Sequence, residues 1–162
     1  LYGTRTRVQM QKACPFELST FEGYCLLTSS FFSAYMTNTE HRLLQAERDK
    51  TEDNTIILHD FFYKNYDLKI KYDPSDPLKP FVEFDDQIIG STAEAFGTIY
   101  GNGKLMCTQP VAYDSYYNVC QKFVFLYSTI YVVGKGTVGT YVNILEWISD
   151  EEAEQYKKEE GL

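Results

Sequence analysis

From Tyr66 to Tyr72 the chain alternates without a break, with Tyr66, Leu68, Ile70 and Tyr72 on one face and Asp67, Lys69 and Lys71 on the other. A period of two marks a strand that buries one side only. The run before it, Thr55–Tyr63, is rich in β-branched and aromatic residues, and a short turn at Asn65 joins the two into a hairpin. Asp73–Pro80 carries three prolines and two aspartates and reads as a loop. Further strands are expected at Phe81–Phe84, Gln87–Ile89, Ala93–Tyr100, Lys104–Gln109, Tyr117–Tyr127, Thr129–Val133 and Val138–Ile148. Their connectors hold Asp85-Asp86, Gly90-Ser91, Gly101-Asn102-Gly103, the turn-like Pro110–Tyr116 and Gly134-Lys135-Gly136. Many short strands broken by glycine turns predict a mainly β protein, an antiparallel meander or β-barrel. Closing the barrel removes exposed strand edges.

Two helices flank this β region. Thr37–Lys50 is read as a short N-terminal helix, because Thr37 and Glu40 have capping-box spacing and Leu43, Leu44 and Glu47 follow in a helix-forming stretch. Asp150–Glu160 is read as an acidic C-terminal helix: Ser149 and Glu152 repeat the spacing, acids crowd the first turn, and Lys157-Lys158 close the last. The chain is therefore divided into an irregular aromatic arm (1–38), a barrel with its leading helix (39–148) and a helical tail (149–162). The arm contains Phe16, Phe21, Tyr24, Phe31, Phe32 and Tyr35, with room for one short strand at Tyr24–Thr28. So aromatic a segment packs either on its own domain or on a partner.

Composition narrows the classes of function. At 162 residues the chain is one domain with a sizeable core. Aromatics reach 16 %, with 14 Tyr and 11 Phe, which suits pleated surfaces. A net charge of −8 with scattered lysines disfavours nucleic acid and anionic membranes as partners. No apolar run reaches the length of a bilayer span. The chain opens on Leu1, so a missing upstream piece is expected, and a removed signal or transit peptide would fit.

The four cysteines form two local couples, Cys14/Cys25 and Cys107/Cys120, and proximity favours those pairings as disulfides. Cys107/Cys120 would staple a hairpin. Four buried thiols are the alternative. Disulfides imply an oxidising compartment, either secreted or an organelle lumen: extracellular space, endoplasmic reticulum or thylakoid lumen. Neither couple has zinc spacing, and no metal or cofactor is expected.

No nucleophile elbow, P-loop, HExxH or dinucleotide fingerprint is present. His59-Asp60 stands out, because adjacent strand residues face opposite ways and one of the two should point toward the apolar side. There it would orient a ligand or bond a neighbouring strand. The acids Asp73, Asp76, Glu83, Asp85 and Asp86 read as a solvated loop rather than a calcium site, since they lack EF-hand spacing.

The segment Thr55–Ile144 resembles the dirigent and allene oxide cyclase-like barrels. The likeness rests on Leu58-His59-Asp60, Glu83-Phe84-Asp85-Asp86, Gly97-Thr98-Ile99-Tyr100-Gly101, the Cys107/Cys120 couple and Ile130–Gly134. The resemblance implies an eight-stranded antiparallel barrel, often trimeric, with a hydrophobic cavity and a small hydrophobic ligand. It marks His59, Asp60 and Asp86 as ligand-binding candidates.

Three readings of function follow. The first is a non-catalytic secreted or lumenal barrel that binds protein partners in a larger assembly or forms a homo-oligomer. The second is a dirigent- or cyclase-like barrel acting on a small hydrophobic molecule. The third is a lipocalin-like carrier, set back by the position of the only tryptophan, Trp147, near the chain's end.

Overall fold

The computed structural model describes residues 14–29 and 41–161. Ten strands run through it: β1 (Gly23–Ser29), β2 (His41–Arg48), β3 (Thr55–Leu58), β4 (Leu68–Asp73), β5 (Phe81–Glu83), β6 (Gln87–Ser91), β7 (Lys104–Thr108), β8 (Ser115–Asn118), β9 (Phe123–Val132) and β10 (Gly136–Ile148). A 3-10 turn, Leu18–Phe21, precedes them, and two short helices, α1 (Thr92–Phe96) and α2 (Asp150–Glu160), complete the fold.

Eight of the strands close an antiparallel barrel, in the order β10–β1–β2–β3–β4–β5–β8–β9 and back to β10. The long strand β9 serves two neighbours on one edge. Its first part, Phe123–Phe125, pairs with β8, and Thr129–Tyr131 pairs with β7. β7 in turn carries β6. No strand lies between β6 and β4, and a side chain fills the place. The Gln87 carboxamide accepts from the Lys69 N–H at 2.8 Å and donates to the Lys69 carbonyl at 2.9 Å.

Alternation places the core. On β4 the sequence pattern is realised residue for residue, with Leu68, Ile70 and Tyr72 buried and Lys69, Lys71 and Asp73 exposed. Inward side chains fill the lumen, among them Leu27, Ile56, Leu58, Leu126 and Leu145. An eight-stranded barrel is just wide enough for such filling. One end is closed by the turn at Leu18–Phe21. The Phe21 ring is fully buried and lies 4.6 Å from Tyr72, 5.8 Å from Tyr117 and 5.1 Å from Trp147. Helix α2 packs on β1, with Ala153 buried and the Lys157 ammonium 4.8 Å from the centre of the Tyr24 ring. Its capping box is formed as read: Ser149 Oγ accepts from the Glu152 N–H, and Glu152 accepts from the Ser149 N–H.

Several expectations are corrected. The helix expected at Thr37–Lys50 is strand β2 over His41–Arg48, and the residues before it lie outside the described ones. Pairing with β1 and β3 outweighs the helical propensity of Leu43–Arg48. The short strand allowed at Tyr24–Thr28 is present as β1, and the rest of the described part of the stretch read as an irregular arm supplies the plug. Phe31, Phe32 and Tyr35 lie outside the described residues. Ala93–Tyr100 is not a strand but helix α1 and a turn: Ser91 Oγ caps the Glu94 N–H, and Gly97 ends the helix with φ 78°. Tyr117–Tyr127 is broken by a turn at 119–122, where Lys122 has φ 57°, and Thr129–Val133 belongs to the same strand as Phe123–Tyr127.

The disulfide assignment is corrected as well. Cys14 bonds Cys120, with Cα atoms 5.4 Å apart, while Cys25 and Cys107 are free and fully buried. Cys107 lies on β7 and points into the barrel, whereas Cys120 lies in the exposed turn beyond β8. β7 and β8 do not pair with each other; each pairs with a different part of β9, so the expected hairpin does not exist. Cys25 also points inward, from β1.

Candidate functional site

The residues singled out as ligand candidates all lie on the outside of the barrel. His59 continues the β3 pairing, its N–H donating to the Gln45 carbonyl at 3.0 Å. Its ring bridges two acids, with Nε2 2.8 Å from Glu47 Oε1 and Nδ1 3.2 Å from Asp67 Oδ2. Partial burial pulls the imidazole pKa down, but the Glu47 hydrogen bond and the charge and hydrogen bond of Asp67 outweigh it, so the value is raised. Asp60 is a turn former with φ 51°; its Oδ1 accepts from the Asn65 N–H at 2.7 Å, and its own N–H donates to Asp67 Oδ1. Arg42 completes this end of the wall, its guanidinium donating to the carbonyls of Asp60, Phe61 and Phe62 at 2.8, 2.6 and 3.0 Å.

Asp86 sits apart from that cluster. It accepts from the hydroxyls of Thr108 and Tyr131, on β7 and β9, and these bonds hold its carboxyl below the ordinary range. It shares no hydrogen-bond partner with His59. The three candidates are therefore not brought together, and none faces the lumen. Where the resemblance would put a ligand, the barrel holds packed side chains.

Two of the acids between residues 73 and 86 are occupied in turns. Asp73 Oδ1 accepts from the N–H and hydroxyl of Ser75, and Asp76 Oδ1 accepts from the Leu78 N–H. Among the described residues no three His, Cys, Asp or Glu side chains converge to hold a metal ion. The two free thiols are sealed in the core: burial pushes Cys107 up to about 12, against a Ser128 hydrogen bond that pulls the other way, and burial raises Cys25 further still.

A different surface emerges on the outer wall. The walls of the barrel differ sharply in charge. Outside β2, β3 and β4 stand Glu47, His59, Asp67, Lys69 and Lys71. The strands β8, β9 and β10 together carry a single charge, Glu146. Their outward positions hold rings and branched chains instead. One register row runs Phe81–Tyr116–Phe125–Ile144 across four adjacent strands, β5, β8, β9 and β10. The next step along β9 places Tyr127 beside Val142, with Tyr113 stacked on Tyr127 at 5.1 Å.

One pair in this row is packed face to face, while the neighbouring Phe123 is tilted by 58° to Phe125 and edge-on to Tyr116. Tyr116 and Phe125 are stacked at 5.1 Å with planes 26° apart. That separation is close to the spacing between strands, so the ring faces turn toward one another and the edges turn outward. A flat platform of the kind that stacks on a planar or sugar ring needs the opposite presentation.

Sequence reasoning looked past this surface, although a signal was present. Phe123, Phe125 and Tyr127 point out while Val124, Leu126 and Ser128 point in, so both faces of one run are largely apolar. A strand buried on one side only should alternate with polar residues. Rich apolar character on both phases is the mark of an outer face that wants cover.

Among the described residues, no helix is long and apolar enough to cross a membrane. Over residues 1–159 the chain matches the family described as "Domain of unknown function (DUF4984)". It belongs to that family. No curated protein and no solved structure matches it.

Proposed function

We propose that this DUF4984 chain is a non-catalytic, protein-binding barrel that works as a subunit of an assembly in an oxidising compartment. The observation that carries the reading is the aromatic wall over β5, β8, β9 and β10, whose only charges are Glu83 and Glu146. An outer face with a row of rings and so few charges is costly to leave in water and is the composition of an interface core. Three features support the rest. The lumen is filled, so the barrel offers its outside rather than a cavity. The candidates His59, Asp60 and Asp86 are tied up in turns and cross-strand bonds. The Cys14–Cys120 disulfide fits a secreted or lumenal setting, where such bonds persist.

The test is the size of the protein as isolated from its source under native conditions. Wild type should elute within a larger particle, and Phe125→Glu should elute alone while keeping its circular dichroism and melting temperature. An unchanged elution profile for a folded Phe125→Glu protein would overturn the assignment of the interface to this wall.

A further inference from the structure

We infer that the occupant of the aromatic wall is a second copy of this chain, meeting it face to face about a two-fold axis near Phe125. The inference rests on the protein-binding reading above and names its partner. Charge supplies the first argument. A chain of net charge −8 repels its own copy over most of its surface. Two copies approach with fewest opposing acids where acids are sparse, and the strands β5, β8, β9 and β10 provide that area with Glu83 and Glu146 alone.

Geometry supplies the second argument. A two-fold contact requires a surface that complements itself. Phe125 lies mid-row, with Tyr116 on one side and Ile144 on the other, and Phe123 and Tyr127 above and below it on the same strand. Rotation by half a turn about an axis through this point exchanges the aromatic side of the row for its aliphatic side. Tyr116 of one copy then meets Ile144 of the other, ring against branched chain, and Phe81, two strands out, reaches Thr28 of β1. A footprint of roughly 20 Å by 25 Å, from strand spacing and rise, gives about 1,000 Å² over both copies, the low end for specific association. The dimer is therefore reversible and responds to concentration.

The experiment is sedimentation velocity over a concentration series, with three proteins: wild type, Phe125→Glu, and Lys71→Glu on the charged wall. The expected result is a dimer that forms with rising concentration in wild type and Lys71→Glu and is lost by at least tenfold in affinity in Phe125→Glu. Because that variant could fail for reasons of folding, Phe125→Arg is prepared too. Each variant alone should be monomeric, and an equimolar mixture of Phe125→Glu and Phe125→Arg should recover dimer, since the axis places the two positions together. Wild type that stays monomeric throughout overturns the self-pairing. Carbene footprinting of the native particle then separates the two claims: protection of Tyr116 and Phe125 leaves the protein-binding reading standing with a different partner, and full labelling of both removes it as well.

Discussion

The side-chain amide of Gln87 brackets the backbone of Lys69, taking its N–H at 2.8 Å and giving a hydrogen bond to its carbonyl at 2.9 Å. A carboxamide carries the same donor and acceptor as a peptide group, so it stands in for the residue of a missing strand. The same nitrogen also reaches the Asp85 carbonyl at 3.1 Å, which holds the crossing from β5 to β6 against β4. Gln109 makes the accepting half of the same contact, taking the Phe84 N–H at 2.9 Å. Replacing Gln87 by Ala should cost about 1–2 kcal/mol, because water can reach this exposed rung and replace part of what is lost. Gln87→Glu should recover only part of it, since a carboxylate accepts from the Lys69 N–H but repels its carbonyl. Urea unfolding gives the size of the effect, and faster amide exchange at Lys69 gives its place.

The disulfide joins residues 106 apart in sequence and anchors the plug at the end of the barrel. Closing so long a loop restricts the unfolded chain, and the double replacement Cys14→Ser, Cys120→Ser should cost about 3–4 kcal/mol. The loss should be reported first by the plug. Phe21 packs edge-on to Trp147, so the tryptophan emission should shift before the far-ultraviolet dichroism changes. Cys25 and Cys107 are fully buried, and the native protein should react with no more than a trace of a thiol reagent until it unfolds. A disulfide-free protein as stable as wild type would show that the plug holds by its aromatic contacts alone.

Residues differ in how far their own neighbours in sequence decide their place. β4 was legible because its polar and apolar residues alternate in a single phase, and only one side of that strand is covered. Helix α2 was legible because its signals are local: a cap, a charge gradient and a terminal glycine. β2 was not, because Leu43–Arg48 favours a helix by itself and becomes a strand only through partners on both sides. For α1 the local signal existed: Ser91 and Glu94 are three apart and Gly97 follows, but the branched and aromatic residues up to Tyr100 masked it. The cysteine pairing could not be read from spacing, since it depends on where the plug crosses the β8–β9 turn. The sites fared likewise. Nothing in the Leu58-His59-Asp60 run says which side of the wall His59 faces, whereas the doubly apolar run Phe123–Ser128 did announce an apolar outer face.

His59 gives the protein a pH dependence of known sign. Bridging Glu47 and Asp67 raises its pKa above the ordinary 6.5. The protonated ring is the form that the folded state favours, so the stabilisation is full below about pH 6.5 and fades as pH rises through the folded value. The margin of wild type over His59→Gln should therefore shrink between pH 6 and pH 8.5, while both keep the fold. Titration of the ring proton by NMR should show a midpoint above 6.5, and Glu47→Gln should lower it. A midpoint at or below 6.5 would mean that burial of the ring outweighs its two acids.

Arg42 holds the β3–β4 connection by a contact that a simple charge cannot reproduce. Its guanidinium fans out to three successive carbonyls, those of Asp60, Phe61 and Phe62, within 3.0 Å. The rings of Phe61 and Phe62 that follow from this backbone are buried and pack at 4.4 Å, so the fork sets how two core side chains enter the barrel. A planar, multiply donating group fits three fixed acceptors; an ammonium on a flexible stem satisfies one or two of them. Arg42→Ala should cost about 2–3 kcal/mol, the scale of hydrogen bonds to a charged group, and Arg42→Lys should recover less than half. The distinguishing readout is local. Amide exchange over residues 60–67 should rise in Arg42→Lys even where its melting temperature stays near wild type, because the carbonyls regain water but lose the group that fixes their spacing. Equal protection in Arg42→Lys and wild type would reduce the role of Arg42 to charge alone.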